Sequence, residues 1–415
     1  MTMSQKNTEF YNLKEAARLV VHKMPYLNSV SYNIWIPGGI VADSENKLGS
    51  TLFIPDMTMR GFKSHDARWV SEELDGFGLS HSEITSLDAF VYQGTCLSET
   101  ALPALKTILD SIYLASFPED EVDNVREICL QDLEASEDNP SRLVVNKLIE
   151  KYHTAPFNRS LDGKKEGIIA TTLSDIKELY SKYYSNGPLI VLAGDVKDDL
   201  VSYIKSYFDN KDLKDNYQRL TLNETHSFEY FHVDYNSEQT QIALASPAPN
   251  ALSEDYYVAR LTSELLSGGM FGRLFLEVRE KRGLVYTVYN RYASNQYYGK
   301  NVLYAGTTPK NASETLTVAL DTIRNLSNDL TEEELIRAKN NLKSLILIQG
   351  ESSLSRSSNI AVDMWQLGEY REKDFIISKI NEITINDIKN YLVKYPYENY
   401  TVVSLGKEEI KGVIK

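Results

Sequence analysis

The sequence predicts an α+β protein built from two similar halves, and the prediction rests on short segments that recur at one spacing. Three segments of the first half match three of the second at an offset of 212 residues: 172–177 with 384–389, 182–183 with 394–395, and 190–194 with 402–406. The chain has 415 residues, so this offset is about half of its length. Self-similarity in one frame indicates an internal duplication.

Both copies of the repeat have the pattern of a capped helix followed by a buried strand. Thr172 is followed three residues later by Asp175, and Thr384 by Asp387. A Thr with an acidic residue at this spacing is typical of a capping box at a helix start. The apolar run after each helix ends at a glycine, as expected for a strand that leads into a turn.

The first half also predicts a series of strands and helices. Residues 18–22 and 29–36 are expected to form two strands that pair across the turn between them. Residues 48–62 are expected to form a helix that contains Pro55 and ends at Gly61. Period-2 and period-3.6 apolar patterns then predict a strand at 89–97 and a helix at 101–115.

The second half restarts with strands expected at 230–235 and 240–245 after a polar stretch. We therefore expect an N-terminal domain at 1–210, a linker at 211–228 and a C-terminal domain at 229–415.

Composition excludes several classes of function. The net charge of −14 argues against nucleic-acid or anionic-membrane partners, because these need clustered Lys and Arg. No apolar run approaches the length of a membrane span, and the first residues lack a secretory signal pattern, so cytoplasm is the expected compartment. The two cysteines, Cys96 and Cys129, are expected to be buried free thiols.

Residue spacing alone identifies no catalytic group. The six histidines include no pair at i, i+3 or i, i+4, so no helical pair can close on a metal. Nucleophile-elbow and phosphate-loop motifs are absent from the sequence.

One basic segment, residues 271–286, stands out. It carries Arg273, Arg279, Lys281 and Arg282 on a predicted helix that ends at Gly283, and a strand follows.

Two of its side chains form a candidate binding site. Arg279 lies near the end of the helix, and Tyr286 lies at the start of the strand. A guanidinium and a phenol hydroxyl held on two rigid elements could grip a peptide carbonyl or a carboxylate. The alternative is a surface helix with solvated charges.

Two long segments have a specific pattern: VSYNIWIPGG at 30–39 and GGMFGRLFLEVREKRGLVY at 268–286. With them the chain resembles the short-chain M16B branch of the M16 metallopeptidase family, which includes pitrilysin, insulin-degrading enzyme and mitochondrial processing peptidase. It implies two homologous α+β domains, each a mixed or antiparallel sheet with helices packed on one side. In the family these domains face each other across a clam-like cavity.

The chain departs from the family at the zinc motif. Active members carry H-x-x-E-H, in which two His bind zinc and the Glu activates water. Its three positions fall here on Leu52, Pro55 and Asp56, and the distal ligand position falls on Asp132. We therefore expect no zinc in this chain. A peptidase that uses Asp56 and Asp132 as unconventional ligands is the alternative.

The resemblance implies that the other half of the active site is retained. Arg279 and Tyr286 match the pair with which the family holds substrate and polarises the scissile carbonyl. A chain with this pair and no zinc motif resembles one subunit of a heterodimeric peptidase, whose partner carries H-x-x-E-H and the zinc. Extended peptide is the expected substrate, added as a strand to a sheet edge. The alternative is an inactive structural protein, similar to the core subunits of the respiratory bc1 complex.

Overall fold

The computed structural model describes residues 3–5, 7–14, 16–214, 220 and 226–412. The strands, in chain order, are β1 Met3–Gln5, β2 Thr8–Leu13, β3 Ala17–Lys23, β4 Ser29–Pro37, β5 Gly61–Phe62, β6 His65–Asp66, β7 Ser80–Thr85, β8 Ala89–Leu97, β9 Leu189–Gly194, β10 Tyr230–Asp234, β11 Thr240–Ala248, β12 Val285–Ser294, β13 Gly299–Thr307 and β14 Thr401–Gly406. β5 and β6 form a separate short hairpin.

Both halves also contain helices. They are α1 Phe53–Thr58, α2 Ala67–Gly76, α3 Ala101–Tyr113, α4 Val122–Glu137, α5 Pro140–Tyr152, α6 Lys165–Ala170, α7 Leu173–Tyr183, α8 Asp198–Asp209, α9 Tyr256–Ser267, α10 Ala312–Asp329, α11 Glu332–Gln349, α12 Ser353–Gln366, α13 Lys373–Glu382 and α14 Ile385–Lys394. Among the helices of the described ranges, none combines the length and the apolar character needed to cross a membrane.

The chain folds into two compact units, and each unit contains one segment from the opposite half. Unit 1 comprises Met1–Ala135, Arg159–Arg219 and Gln349–Tyr370, and unit 2 comprises Ser136–Asn158, Leu220–Ile348 and Arg371–Lys415. The two compact units are therefore not separated by a single linker at 211–228, because each unit contains residues from both sides of it. Part of that predicted linker, at 215–219 and 221–225, lies outside the described residues.

The two sheets share one strand order, which confirms the duplication. Unit 1 has the order β1-β2-β3-β9-β4-β8-β7, and unit 2 has the order β10-β14-β11-β13-β12. β9 runs parallel to β3 and antiparallel to β4, and β14 has the same relation to β10 and β11. The last five strands of the larger sheet thus correspond one to one with those of the smaller sheet.

One predicted pairing is wrong. The strands expected at 18–22 and 29–36 form as β3 and β4, but β9 lies between them and hydrogen-bonds to both. A short turn between two strands, such as the one that joins β3 and β4, usually makes them pair as a hairpin. Here the buried strand from the repeat enters the sheet centre instead, where all its residues are buried. The long-range pairing of β9 with both strands has overridden the local preference for a hairpin.

The helix caps of the repeat form as predicted. The Thr172 hydroxyl accepts from the Asp175 N–H at 3.3 Å, and the Thr172 N–H donates to the Asp175 carboxylate at 2.8 Å. Thr384 and Asp387 repeat this reciprocal pair at 3.3 and 2.7 Å. The caps begin α7 and α14, the helices that precede the central strands β9 and β14.

We expect Thr172→Ala and Thr384→Ala to destabilise the protein by similar amounts, about 1 kcal/mol each, because each removes one equivalent N-cap. Both threonines are exposed, so little packing is lost with them. Urea unfolding followed by circular dichroism measures the change. Thr→Ser at the same positions keeps the hydroxyl and serves as the control. A loss at one site only would show that the two caps are not equivalent.

Each sheet has the helices of its own half on one face. In unit 1, α1 to α4 and α6 to α8 pack against the face that carries Leu19, Tyr32 and Leu192. In unit 2, α9 to α11, α13 and α14 pack against the face that carries Leu244 and Leu303. This arrangement agrees with the expected layer of helices on one side of each sheet.

The structure adds one helix on the second face of each sheet, and that helix comes from the other half of the chain. α12 packs on the unit 1 sheet, where Ile360, Met364 and Trp365 join Val20 and Val191. α5 packs on the unit 2 sheet through an apolar cluster that includes Val144, Leu148, Ala243 and Val403. The two helices occupy equivalent positions in the repeat, so the exchange is reciprocal.

The exchanged helix α12 also makes polar contacts with unit 1. The Ser31 and Ser353 hydroxyls are 2.8 Å apart, and the Asn33 amide donates to the Ser357 hydroxyl at 2.9 Å. The polar side chains at these contacts are buried with partners, as buried polar groups in proteins generally are.

Candidate functional site

The zinc-motif positions lie at the start of a short helix in unit 1. Leu52 ends a 3-10 turn, and Pro55 and Asp56 lie in α1. The expected helix at 48–62 is therefore shorter than predicted. Pro55 is buried in the first turn of α1, where its missing N–H costs no helical hydrogen bond. Leu52 packs against the apolar core of unit 1.

The Asp56 carboxylate is occupied by an ion pair. Its Oδ1 accepts from Arg60 Nε at 2.7 Å, one helical turn later. The same guanidinium lies 3.4 Å from the Glu121 carboxylate just before α4. All three side chains are less than one-third exposed. Arg60 is thus a counter-charge for Glu121 and for Asp56, which occupies a position of the predicted zinc motif. An i, i+4 acid-to-Arg spacing is the signal that could have identified the Asp56 pair.

Asp132 and Asp56 both influence the same thiol. Cys129 is buried on α4, and burial raises the pKa of its thiol to about 12, with the charges of Asp56 and Asp132 adding to the shift.

These side chains do not fit a zinc ion. Leu52 and Pro55 have no donor atoms, Asp56 is paired with Arg60, and Asp132 is exposed. Within the described residues, no group of three His, Cys, Asp or Glu side chains has a geometry suited to a metal. A zinc site that uses Asp56 and Asp132 as ligands therefore finds no third donor in the part of the chain that the structure describes. The absence of zinc stays a prediction for elemental analysis of the purified chain.

We expect Arg60→Met to destabilise the protein by about 1–2 kcal/mol, because it leaves two partly buried carboxylates without their counter-charge. Thermal unfolding measures the change. Arg68→Met is the matched control, since Arg68 bonds Glu72 at the same spacing and the same 2.7 Å distance, but with side chains 85% and 64% exposed. That exposed pair is worth less than about 1 kcal/mol. Equal effects of the two substitutions would contradict a structural role for Arg60.

The basic segment of unit 2 forms a π-helical turn rather than the regular helix that the sequence predicts. Residues Phe275–Glu280 have this wider geometry, and Val278 and Leu274 face the core. Gly283, with φ of +63°, ends the turn as expected. Its N–H donates to the Arg279 carbonyl at 2.8 Å. Wide turns of this kind occur frequently at functional sites.

Three of the four basic side chains in the segment are bound by carboxylates. Arg273 donates two hydrogen bonds of 2.9 Å to Glu334 and also pairs with Asp329. Lys281 and Arg282 both pair with Glu277. Carboxylates of this chain therefore already pair with all three of these basic groups.

Arg279 differs from its three neighbours. It is exposed, and within the described residues its side chain has no hydrogen bond and no ion pair. The guanidinium lies over the Phe275 ring, whose centroid is 5.0 Å from the guanidinium carbon. The guanidinium therefore keeps its five N–H donors available for a ligand.

Tyr286 lies at an irregularity in the edge strand β12. Val285 pairs with Thr307 and Thr287 pairs with Gly306, so Tyr286 is an extra residue with no partner opposite it. Such a bulge redirects a side chain and increases the local twist. The Tyr286 side chain is 63% exposed. The bulge and the π-turn lie on either side of Gly283, and neither irregularity is visible in the apolar pattern of the sequence.

The segment 279–286 thus presents a guanidinium and a phenol to solvent from two rigid elements joined by a tight turn. Both groups are able to donate hydrogen bonds, but neither side chain donates one to another described residue. Such donors suit a carbonyl oxygen that gains negative charge. Both residues are candidates from the sequence, and their role stays a prediction. The Phe275 contact was not predicted, although its i, i+4 spacing to Arg279 is a visible signal.

Comparison with known families and proteins gives consistent matches along the chain. Residues 18–164 match the family described as insulinase, peptidase family M16, and residues 170–342 match the peptidase M16 inactive domain. A Rickettsia felis protein named uncharacterized zinc protease is 27% identical over 98% of this chain and 100% of its own length. Uncharacterized zinc protease YmxG of Bacillus subtilis is 24% identical over 94% of this chain and 96% of its own length.

Two solved structures have the same fold. The peptidase M16 inactive domain from Pseudomonas fluorescens superposes with a TM-score of 0.88 at 22% identity, covering 99% of this chain and 100% of that one. A protease from Helicobacter pylori also gives 0.88, at 19% identity, covering 96% of this chain and 99% of that one. At these identities the likeness concerns the fold.

Proposed function

The chain belongs to the peptidase M16 family, and we propose that within it the protein is the non-catalytic subunit of a heterodimeric M16B zinc peptidase. In this proposal a partner chain carries the H-x-x-E-H motif and the zinc ion. This chain contributes Arg279 and Tyr286, which bind the peptide and polarise the scissile carbonyl.

The observation that carries the proposal is the contrast between the zinc-motif positions and the Arg279 and Tyr286 pair. The zinc-motif positions in unit 1 are filled by Leu52, Pro55 and an ion-paired Asp56. Arg279 and Tyr286 in unit 2 are exposed and make no hydrogen bonds within the described residues. These two donors are thus available to a ligand, whereas the zinc-motif positions offer no set of metal ligands.

The chemistry of the pair indicates what it does in the complex. When a peptide carbonyl becomes tetrahedral, its oxygen gains negative charge, and N–H and O–H donors aimed at it lower the barrier. Arg279 offers a forked cation that stays charged at every physiological pH, and Tyr286 offers a single hydroxyl donor. Neither residue can activate water by itself at neutral pH, so that role falls to the partner.

Extended peptide is the substrate class that the fold favours. β7 and β12 are the last strands of their sheets, and each has one side without a neighbour among the described strands. An extended peptide can pair with such an edge through its main chain. Tyr286 lies on β12 itself, so a peptide near this edge is within reach of the phenol.

Reconstitution tests the proposal. The chain is mixed with an H-x-x-E-H chain of the same family from the same genome, and cleavage of a fluorogenic extended peptide is measured. We expect a complex on size-exclusion chromatography, activity in the mixture that a chelator abolishes, and no activity from this chain alone. The matching Glu→Gln variant of the partner is the control for zinc-dependent cleavage.

Two outcomes would contradict the proposal. Cleavage by this chain alone would assign catalysis to it, and a complex that neither cleaves peptide nor depends on Arg279 and Tyr286 would favour an inactive structural protein.

A further inference from the structure

The Arg279 guanidinium lies over the Phe275 ring, with its central carbon 5.0 Å from the ring centroid. The other basic residues of the segment, Arg273, Lys281 and Arg282, are held by carboxylates instead. The site therefore combines one cation on an aromatic ring with three cations in ion pairs.

We propose that Phe275 is a positioning residue for Arg279: its ring orients the guanidinium toward a peptide carbonyl while leaving all the N–H donors free. This inference rests on the proposed function, because it assigns a role within the same site.

The physical argument concerns what each kind of partner does to a guanidinium. A carboxylate fixes the group but occupies two of its donors and cancels its charge. An aromatic face attracts the cation through the negative potential above the ring and forms no N–H···O bond. A ring therefore supplies orientation without competing with the ligand, which is what a carbonyl-polarising residue needs.

The ring itself is held by a rigid element. Phe275 opens the π-turn, and the adjacent Leu274 is fully buried. Arg273, one residue earlier, ties the same segment to Asp329 at the end of α10 and Glu334 in the first turn of α11. A side chain on an anchored turn loses little orientational freedom, so the guanidinium that packs on it has a defined direction.

The position of the guanidinium can be tested on the isolated chain. Ring currents above an aromatic face shift the resonances of a nearby group, so the Arg279 side-chain signals of a chain with 13C-labelled arginine report the contact. We expect an upfield shift that Phe275→Leu removes and Phe275→Tyr retains. Phe375→Leu, which removes a ring that packs near Lys379 on α13, is the control and should leave the Arg279 signals unchanged. No shift in the unmodified protein would overturn the contact.

The role of the contact is tested by a double-substitution cycle in the reconstituted peptidase. We expect Phe275→Leu to lower kcat/KM by about 3- to 30-fold, with Phe275→Tyr restoring most of it. In the Arg279→Ala background, Phe275→Leu should have no further effect, because the group that it orients is gone. Circular dichroism of each variant separates this effect from misfolding.

The outcomes distinguish this inference from the proposed function. Equal losses from Phe275→Leu in both backgrounds would overturn the positioning role while leaving the function of Arg279 intact. Unchanged cleavage by Arg279→Ala would overturn the proposed function, and the positioning role would fall with it.

Discussion

Replacement of Arg279 by alanine is expected to lower kcat of the reconstituted peptidase by about 10²- to 10³-fold, the usual cost of removing one donor to a developing oxyanion. The loss should appear mainly in kcat, because the guanidinium interacts more strongly with the charged transition state than with the neutral peptide. Steady-state cleavage of an extended peptide by the assembled complex measures it. Since Arg279 is exposed, the variant should fold and unfold like the unmodified chain.

Arg282→Ala is the matched control for this substitution. It removes a guanidinium from the same segment, but one that is already paired with Glu277. We expect less than about a threefold change in kcat from it, since its guanidinium is already hydrogen-bonded to Glu277. Equal losses from both substitutions would indicate a general effect of positive charge on substrate binding, and the assignment of Arg279 would fail.

Replacement of Trp365 by alanine is expected to lower the free energy of unfolding of unit 1 by about 3–5 kcal/mol. Trp365 lies on α12, is 6% exposed and packs on Trp35 with ring centroids 5.6 Å apart. Its indole N–H donates to Asp88 at 3.0 Å, so the change removes both apolar contact and a buried hydrogen bond. Urea unfolding followed by tryptophan fluorescence and circular dichroism measures the loss.

Val362→Ala on the same helix is the control. Val362 is 37% exposed, and we expect its substitution to cost less than about 1 kcal/mol. A Trp365→Ala variant as stable as Val362→Ala would show that α12 contributes little to unit 1.

Much of the fold could be predicted because its signals are local and repeated. Each capping box, at Thr172 and at Thr384, depends only on two residues that are three positions apart in the sequence, and both form as predicted. The strand predicted at 89–97 forms over those residues. The insertion of β9 between β3 and β4 was missed, because a long-range pairing leaves no mark on the local sequence. The reciprocal exchange of α5 and α12 was missed for the same reason.

In the candidate site, residue types can be read from the sequence, but the local backbone geometry cannot. The sequence alone shows that Arg279 and Tyr286 carry hydrogen-bond donors. It also shows that Leu52 and Pro55 have no side-chain atom that could bind a metal. The π-turn and the bulge at Tyr286 each insert one residue into a regular element, and apolar periodicity does not resolve a single insertion. The ion pair of Arg60 with Asp56 depends on side-chain direction, which spacing permits without requiring.

The exchanged helix α12 has a consequence for how the protein is made in the cell. The strands of unit 1 are complete when β9 leaves the ribosome, but α12 lies roughly 160 residues later, which at about 5–20 residues per second takes about 8–30 s to synthesise. During that interval the apolar sheet face around Val20 and Val191 has no cover. We expect nascent chains to need a chaperone at this stage, and a fragment of residues 1–210 to aggregate.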